Sequence, residues 1–463
     1  MSTVFTIKAS EAQGRRLDTS FYSPQYRKLD ATMSNCRYDC FEIRDLKVEV
    51  FQGVSRNLLE HDGIRLLKVK NILPDGAIDF SDTEPISDVP RHKILRNGDI
   101  ISPFIGAAIK GYKFGYFEAK EGERWTFDNN TGVFRNKDGR VLSRYLWAFF
   151  QLQITHRQLD RIIGGGGVPY LGTEYAKRLK VILPPLPEQR KIVAELDAAY
   201  AAKRSADEKS TKLLASIDDM VLNELGIAKL PKPDTSLSSR IFTVPAKEVL
   251  NGRLDPYSYS PFFAENLKRI RANGSWRLGE LVTLSHQQWD QKAWQGNPEG
   301  DFPYIEIGAI SVADGEIATI ESVLIADAPS RAKMMVAPGD LLVSLTRPTR
   351  RAIAFATDSA IASTGFAVFR GFSDEVLPEY LSAILRSELC TYQFDQRSTG
   401  GNYPAITEEQ LLRCEIPKVS KEVQTRIASK ASSIRAEARK LKADATTALD
   451  VAKRKVEARI VEN

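Results

Sequence analysis

The chain has 463 residues, with 65 Lys and Arg against 59 Asp and Glu, and its formal net charge is +6. This length corresponds to about two to four domains, and 43% hydrophobic with 27% charged residues is typical of a globular protein, not of a disordered or fibrous one. No apolar run approaches the roughly 20 residues that cross a bilayer, and four cysteines are too few for a disulfide framework, so we expect a cytoplasmic protein without a membrane anchor.

The first predicted element is a globular domain over residues 1–182. It contains short β-rich runs such as IRLLKVKNI and GDIISPFIG, broken by turn residues and interrupted by the helix-like SRYLWAFFQLQI. A long helix follows at 183–225, with prolines at its start and Gly226 after its end. A Pro- and Ser-rich linker over 226–241 leads to a second globular domain at 242–415 and a second long helix at 416–463.

The second half of the chain repeats the first. The stretch FTIKASEAQGRRLDTSFYSP from Phe5 aligns without a gap with FTVPAKEVLNGRLDPYSYSP from Phe242. Further blocks recur in the same order, among them a Gly-Asp pair at the start of a strand, at Asp99 and Asp340, and a later VFR tripeptide. This ordered recurrence predicts a tandem duplication of an α+β domain and its long helix.

Both long helices have a heptad pattern. In the first, steps of four and three residues join Ile192, Leu196, Ala199, Lys203, Ala206, Ser210, Leu213, Ile217 and Met220. In the second, they join Ile427, Ala431, Ile434, Ala438, Leu441, Ala445, Ala448 and Ala452. The mean step of about 3.5 residues is the coiled-coil period. The predicted fold is therefore α+β, with two duplicated domains separated by two long helices that pair as an antiparallel coiled coil, although each helix could instead lie on its own domain.

This arrangement resembles the specificity subunit of type I restriction–modification systems. The resemblance rests on a β-rich domain followed by Pro-Pro-Leu-x-Glu-Gln-x-x-Ile and a long helix, here Pro184 to Ile192, with the whole arrangement duplicated. In the second copy, IPKVSKEVQTRI, only Ile416, Pro417, Gln424 and Ile427 keep the motif. The resemblance covers essentially the whole chain.

The resemblance implies a function. In that family each globular domain is a target-recognition domain for one half of a bipartite site in double-stranded DNA, and the helices fix the spacer. Such subunits carry no catalysis and no cofactor. They dock two methyltransferase subunits, which bring S-adenosylmethionine, and in restriction complexes also restriction subunits that use ATP and Mg²⁺. Docking would involve the motif at the start of the first helix, namely Pro185, Leu186, Glu188, Gln189 and Ile192.

Three other functions stay open from the residues alone. The chain could be the specificity chain of a system in which one partner carries both nuclease and methyltransferase. It could be a nuclease in its own right, with Asp99, Glu118 and Lys120 as its site, although the second half has no counterpart to that triplet and the chain has no P-loop. It could also be a protein-interaction scaffold without a DNA role.

Reading DNA requires polar side chains at base edges and cations near phosphates. In the second domain the arginines of SLTRPTRRAIA are candidates, and so is the glutamine-rich HQQWDQKAWQ, whose tryptophans could instead anchor the core. The matching loops of the first domain and the residues after the two Gly-rich turns complete the set, although the turn tyrosines could simply pack on their domains. The predicted DNA-binding residues are Gln52, Ser55, Arg56, Asn57, Lys110, Tyr112, Lys113, Tyr170, Gln287, Gln288, Lys292, Arg347, Arg350, Arg351, Asn402 and Tyr403. Because these loops differ between the halves, the expected target is asymmetric.

Overall fold

The computed structural model describes residues 19–55, 63–163, 168–231, 233–234, 236–250, 253–290 and 300–462. The predicted DNA-binding residues Arg56, Asn57 and Lys292 therefore lie outside the described residues. The chain divides into two units, Met1–Ala206 with Ala443–Asn463, and Asp207–Lys442. The division falls inside both long helices, so each unit contains one globular domain, the start of one long helix and the end of the other.

The first unit is an α+β domain, as predicted. Its described strands are β1 (Cys40–Glu42), β2 (Val48–Gln52), β3 (Ile64–Leu67), β4 (Glu84–Ile86), β5 (Ile100–Pro103), β6 (Gly115–Tyr116), β7 (Trp125–Phe127), β8 (Thr131–Asn136) and β9 (Lys180–Ile182). They form sheets in the orders β1-β9, β2-β8-β5-β6 and β4-β3-β7. Its helices are α1 (Pro24–Ser34), α2 (Ser143–Phe150), α3 (Gln153–Ile163), α4 (Gly172–Ala176) and the start of the first long helix, α5 (Leu186–Leu225).

The second unit repeats this topology. Its described strands are β10 (Ser275–Arg277), β11 (Val282–Leu284), β12 (Asp301–Ile305), β13 (Glu321–Leu324), β14 (Ala332–Val336), β15 (Leu341–Ser344), β16 (Ile353–Phe355), β17 (Ala360–Ser363), β18 (Phe366–Phe372) and β19 (Glu415–Pro417). The sheets are β10-β19, β11-β18-β15-β16 and β13-β12-β17-β14. Except for the added β14, the order matches the first unit strand by strand, which confirms the duplication. The helices are α6 (Ala246–Leu250), α7 (Pro261–Arg271), α8 (Leu278–Leu281), α9 (Pro378–Leu385), α10 (Glu388–Arg397), α11 (Glu408–Leu412) and α12 (Lys421–Val461).

An ion pair between a buried aspartate and an arginine accounts for the repeated Gly-Asp and VFR blocks. In the first unit, Asp99 is 1% exposed and accepts hydrogen bonds from Nε and Nη2 of Arg135 at 2.9 and 2.7 Å. In the second, Asp340 accepts from Nε and Nη2 of Arg370 at 3.0 and 2.7 Å. Each pair joins the start of a central strand, β5 or β15, to the neighbouring strand, β8 or β18. These residues recur in both halves because, in each unit, they hold the same two neighbouring strands of the sheet together.

A buried glutamine fixes the start of each long helix. The Gln189 side chain accepts a hydrogen bond from the Leu142 N–H at 2.9 Å and donates to the Arg140 and Pro184 carbonyls. Gln424 does the same in the second unit, accepting from the Leu377 N–H at 2.7 Å. The amide thereby satisfies a free N–H at the beginning of α2 or α9. The second long helix begins at Lys421, later than the predicted 416, because Ile416 and Pro417 belong to β19.

The two long helices pair in antiparallel directions, as predicted. In the first unit, Arg459 near the end of α12 makes ion pairs with Glu188 and Glu195 near the start of α5, at 3.2 and 3.0 Å. In the second unit the order is reversed, and Arg426 near the start of α12 lies 3.1 Å from Glu224 near the end of α5. Among the described helices, none combines the length and apolar character that crossing a lipid bilayer requires.

The buried stripe of the second long helix differs from the predicted heptad at one place. Ile427, Ala431 and Ala438 are buried as expected, but Ala448 is exposed and Leu449 is 5% exposed. An α-helix has about 3.6 residues per turn, so positions chosen with a mean step of 3.5 residues gradually leave the buried face of the helix. Over several turns the difference amounts to one residue position. The stripe therefore continues from Leu449 to Val456 and Ile460, not through Ala448.

Ala438 provides a test of this helix packing. It is 1% exposed, and its carbonyl accepts a hydrogen bond from the buried Ser210 hydroxyl of α5 at 3.0 Å. Ala438→Leu is expected to destabilise the second unit by about 1–3 kcal/mol because the larger side chain overpacks the contact. Ala448→Leu, on the exposed side of the same helix, is the matched control and should change urea-induced unfolding little. Equal effects of the two substitutions would contradict the close pairing.

Candidate functional site

In each unit, two segments that were predicted separately from the sequence as candidate DNA-binding segments lie side by side. One is the loop after the central strand, the β5–β6 loop or the β15–β16 loop. The other is the turn that contains Pro169 or Pro404. In the first unit the Gly106 N–H donates to the Pro169 carbonyl at 2.8 Å, and in the second the Arg347 N–H donates to the Pro404 carbonyl at 2.7 Å. Each loop and turn therefore present one combined surface, built identically in the two units.

The combined surface of the second unit brings arginine side chains together with the aromatic ring of Tyr403. The guanidinium of Arg347 lies 4.2 Å from the ring centroid of Tyr403 and donates to the Asn402 carbonyl at 3.2 Å. Tyr403 is 69% exposed, and Arg350 and Asn402 are also exposed. The stacking holds the Arg347 head group while the outer face of the ring stays open. Four of the predicted residues thus form one cluster.

Arg351, the fifth predicted residue of this region, makes internal contacts. Its Nη1 lies 2.6 Å from Asp218 Oδ2, and its Nε donates to the Thr391 hydroxyl at 2.8 Å. Its carbonyl accepts from Arg386 Nη1 at 2.6 Å. The structure therefore places the Arg351 guanidinium among protein partners, where it holds the loop in place.

The equivalent surface of the first unit has different side chains. Lys110 is exposed, Tyr170 is 51% exposed, and Lys113 is half-buried. Tyr112 is held internally, because its ring stacks on His156 at 4.3 Å and its hydroxyl donates to Asp160. Burial and the bond to Asp160 raise the pKa of Tyr112 to about 12. Of the predicted residues on this combined surface, Lys110 and Tyr170 are therefore the exposed ones.

Burial also keeps His156 uncharged. Its environment lowers the pKa of the imidazole to about 4, first through burial and then through the nearby Lys453 ammonium. A neutral imidazole can stack flat against the Tyr112 ring, with an angle of 7° between the planes. The pair fixes the end of the β5–β6 loop without using a charge at neutral pH.

The glutamine-rich candidates have mixed roles. Gln52 donates to the Asn129 carbonyl at 3.1 Å, and Ser55 is exposed. In the second unit the Gln287 side chain accepts from Arg370 at 2.8 Å, while Gln288 is exposed. Trp289 is a core anchor, since it is 8% exposed and its indole N–H donates to the Ala332 carbonyl at 2.7 Å.

Two cations near the glutamines escaped the sequence analysis. Arg331 and Lys333 are exposed at the start of β14, which has no counterpart among the described strands of the first unit. The Lys333 carbonyl accepts from the Trp289 N–H, and the Met335 N–H donates to the Gln287 carbonyl, so this strand lies directly beside the glutamine segment. The alternation of charged and apolar residues from Arg331 to Met334 was the sequence signal that could have identified them.

The predicted docking motif faces partly inward. Gln189 and Ile192 are 0% and 1% exposed, and their contacts lie inside the first unit. Glu188 is half-buried and pairs with Arg459. Pro185 is exposed and Leu186 half-buried, so these two residues are the accessible part of the motif.

The residues proposed for a nuclease site do not assemble into one. Both oxygens of Asp99 are bound to Arg135 in the buried pair, whereas Glu118 and Lys120 are exposed. In the part of the chain that the structure describes, no group of three or more His, Cys, Asp and Glu side chains could hold a metal ion. Burial raises the pKa of the Cys40 thiol to about 11, which disfavours the thiolate that binds zinc.

Comparisons with known proteins give a family match and several similar solved structures. The family described as "Type I restriction modification DNA specificity domain" matches residues 93–213 and 274–445, once in each repeat and over more than half of the chain. A search of curated proteins finds no match.

Among solved structures, the chain is similar to one from work on the complex assembly and conformational transition of the type I R-M system, with 17% identity over 92% of this chain and 96% of the other, at a TM-score of 0.45. It is also similar to the HsdS subunit from Thermoanaerobacter tengcongensis, with 16% identity over 92% and 97% at a TM-score of 0.35. A third similar structure is the S subunit of a type I system from M. genitalium, with 10% identity over 93% and 97% at a TM-score of 0.41.

Proposed function

Because the chain belongs to the family of type I restriction–modification DNA specificity domains, we propose that each of its two units reads one half of a bipartite, asymmetric site in double-stranded DNA. The family gives the coarser statement directly, since its members are the DNA-recognition part of restriction–modification complexes. The proposal adds three points: which half-site each unit reads, which partner subunits bind, and which residues contact the DNA.

One observation carries the proposal. Both units build the same surface from the loop after the central strand and the turn at Pro169 or Pro404. The exposed side chains on that common framework differ, with Lys110 and Tyr170 in one unit and Arg350, Asn402 and Tyr403 in the other. Direct reading of bases depends on the side chains that reach them. Two copies of one framework with different side chains suit two different half-sites.

The remaining parts of the chain have supporting roles in this proposal. The paired helices α5 and α12 fix the spacer between the half-sites. Two methyltransferase subunits dock on the chain and supply S-adenosylmethionine, and restriction subunits, where present, bring ATP and Mg²⁺. Pro185 and Leu186 are the accessible candidates for docking. The chain itself does not catalyse, in line with the engagement of Asp99 by Arg135.

The test is to produce the chain together with its methyltransferase and to map methylation on genomic DNA. We expect methylation at one bipartite, asymmetric motif, and none at that motif with the methyltransferase alone. A stable complex that methylates without sequence preference would contradict the proposal and favour an interaction scaffold. Metal-dependent cleavage of DNA by the purified chain would instead favour the nuclease.

A further inference from the structure

In each unit, a carboxylate near the end of a long helix caps a short helix of the globular domain. Asp218 of α5 accepts a hydrogen bond through Oδ1 from the Glu388 N–H, at the start of α10, at 2.9 Å. Glu457 of α12 accepts through Oε2 from the Ile154 N–H, at the start of α3, at 3.1 Å. The first N–H groups of a helix have no partner within it and attract negative charge. The two caps are equivalent, because α3 and α10 are equivalent helices of the repeats.

The capped helices hold the loops of the candidate DNA surface. In the second unit, Asp218 Oδ2 pairs with Arg351 at 2.6 Å, and Thr391 of α10 accepts from Arg351 Nε. In the first unit, His156 and Asp160 of α3 hold Tyr112 by stacking and by a hydrogen bond. Arg351 and Tyr112 occupy the same place, since each ends the single 3₁₀ turn of its loop.

These loops depend on external contacts for their shape. Tyr112, Arg347 and Arg351 have φ angles of 48°, 49° and 62°, the left-handed region that favours glycine. Each such residue costs on the order of 1 kcal/mol and persists only when its surroundings hold it. In the β15–β16 loop, two of them stand four positions apart, and Arg351 is fixed by partners on α5 and α10. Loss of those partners would let the loop relax and move Arg347 and Arg350.

We propose that Asp218 and Glu457 are positioning residues for DNA reading, each fixing the recognition loop of the unit in which it lies. Neither contacts DNA. Because Asp218 belongs to the helix of the first repeat, that helix controls the selectivity of the second unit. Glu457, on the helix of the second repeat, controls the selectivity of the first. This inference rests on the proposed function, since it concerns the half-site that each unit reads.

The experiment compares Asp218→Asn with Asp219→Asn in the methyltransferase complex. Asp219 is the adjacent carboxylate, 58% exposed and paired with Lys229 instead of the loop. Methylation rates are measured on DNA with single base changes in either half-site. The half-site that the second unit reads is identified as the one whose recognition changes in Arg347→Gly. Asp218→Asn is expected to weaken discrimination in that half-site by about tenfold, the scale of one base contact, and to leave the other half-site unchanged. Glu457→Gln should give the mirror result, and Asp219→Asn no change.

Two further comparisons separate positioning from a general structural role. Thr391→Val keeps the shape of the side chain but removes the hydroxyl that Arg351 contacts, so it should weaken the same half-site without lowering the Tm of the complex. Two results would overturn this inference but not the proposed function. One is an equal loss of discrimination in both half-sites together with a lower Tm. The other is wild-type selectivity of both Asp218→Asn and Thr391→Val. Absence of any bipartite motif with the wild-type chain would contradict the proposed function as well.

Discussion

Asp99→Ala is expected to lower the free energy of unfolding of the first unit by about 3–5 kcal/mol, the cost of removing one partner from a buried ion pair. The Asp99 and Arg135 side chains are only 2% and 5% exposed. After the substitution, Arg135 keeps hydrogen bonds to the carbonyls of His92 and Ile94 but loses the carboxylate with which it is paired. Urea-induced unfolding of the purified chain, followed by circular dichroism, measures the effect as a lower midpoint for the first unit.

Asp88→Ala is the matched control for this measurement. Asp88 pairs with Arg124, and these two side chains are 76% and 60% exposed. An exposed pair contributes at most about 1 kcal/mol, so the control should unfold almost like the wild type. If Asp99→Ala were equally mild, Asp99 would not be a structural residue, and the nuclease hypothesis would regain its central carboxylate.

The sequence predicted the duplication and the paired helices because the signals for both are local or repeated. Asp99 and Asp340 recur since each closes a sheet with an arginine of the VFR block. The regular spacing of apolar residues along α5 and α12 indicates an apolar stripe on each helix. Such a stripe is buried only when it packs against another surface, which favours pairing of the helices. The shift from Ala448 to Leu449 on α12 escaped, and so did the buried Tyr200 and Val221 on α5, because 3.5-residue steps cannot follow a 3.6-residue helix over its whole length.

The site was less predictable because its decisive contacts join residues far apart in the sequence. Arg351 looked like a base reader, yet its partner Asp218 lies 133 residues away on the first long helix. Tyr112 is similarly held by Asp160, 48 residues further along the chain. Gln189 belongs to a motif whose family resemblance implied docking, but its amide satisfies the Leu142 N–H inside the first unit. Exposure and pairing, which decide whether a side chain can reach DNA, are properties of the folded chain.

Arg347→Gly combined with Arg350→Ala is expected to reduce methylation of the mapped motif by about 10- to 100-fold, the range expected for losing one or two arginine contacts with bases. Glycine suits position 347 because the equivalent Gly106 has a φ of 90°, so the loop backbone at 347 carries no added strain. The substitutions remove the guanidinium stacked on Tyr403 and the exposed one beside it. Initial methylation rates on a duplex with the motif measure the effect, and Arg277→Ala, an exposed arginine on β10, is the control.

The pattern of the loss shows what the two arginines contact. A base contact fixes the identity of one position, so its removal relaxes the motif at that position while the other half-site stays as strict as before. A phosphate contact contributes equally on every sequence, so its removal slows all substrates alike and flattens the dependence of binding on salt. We expect the first pattern, because the stacking on Tyr403 and the bond to the Asn402 carbonyl hold the Arg347 guanidinium in one orientation. A uniform loss would leave these arginines as phosphate contacts and would shift base reading in the second unit to Gln288 and its neighbours on β14.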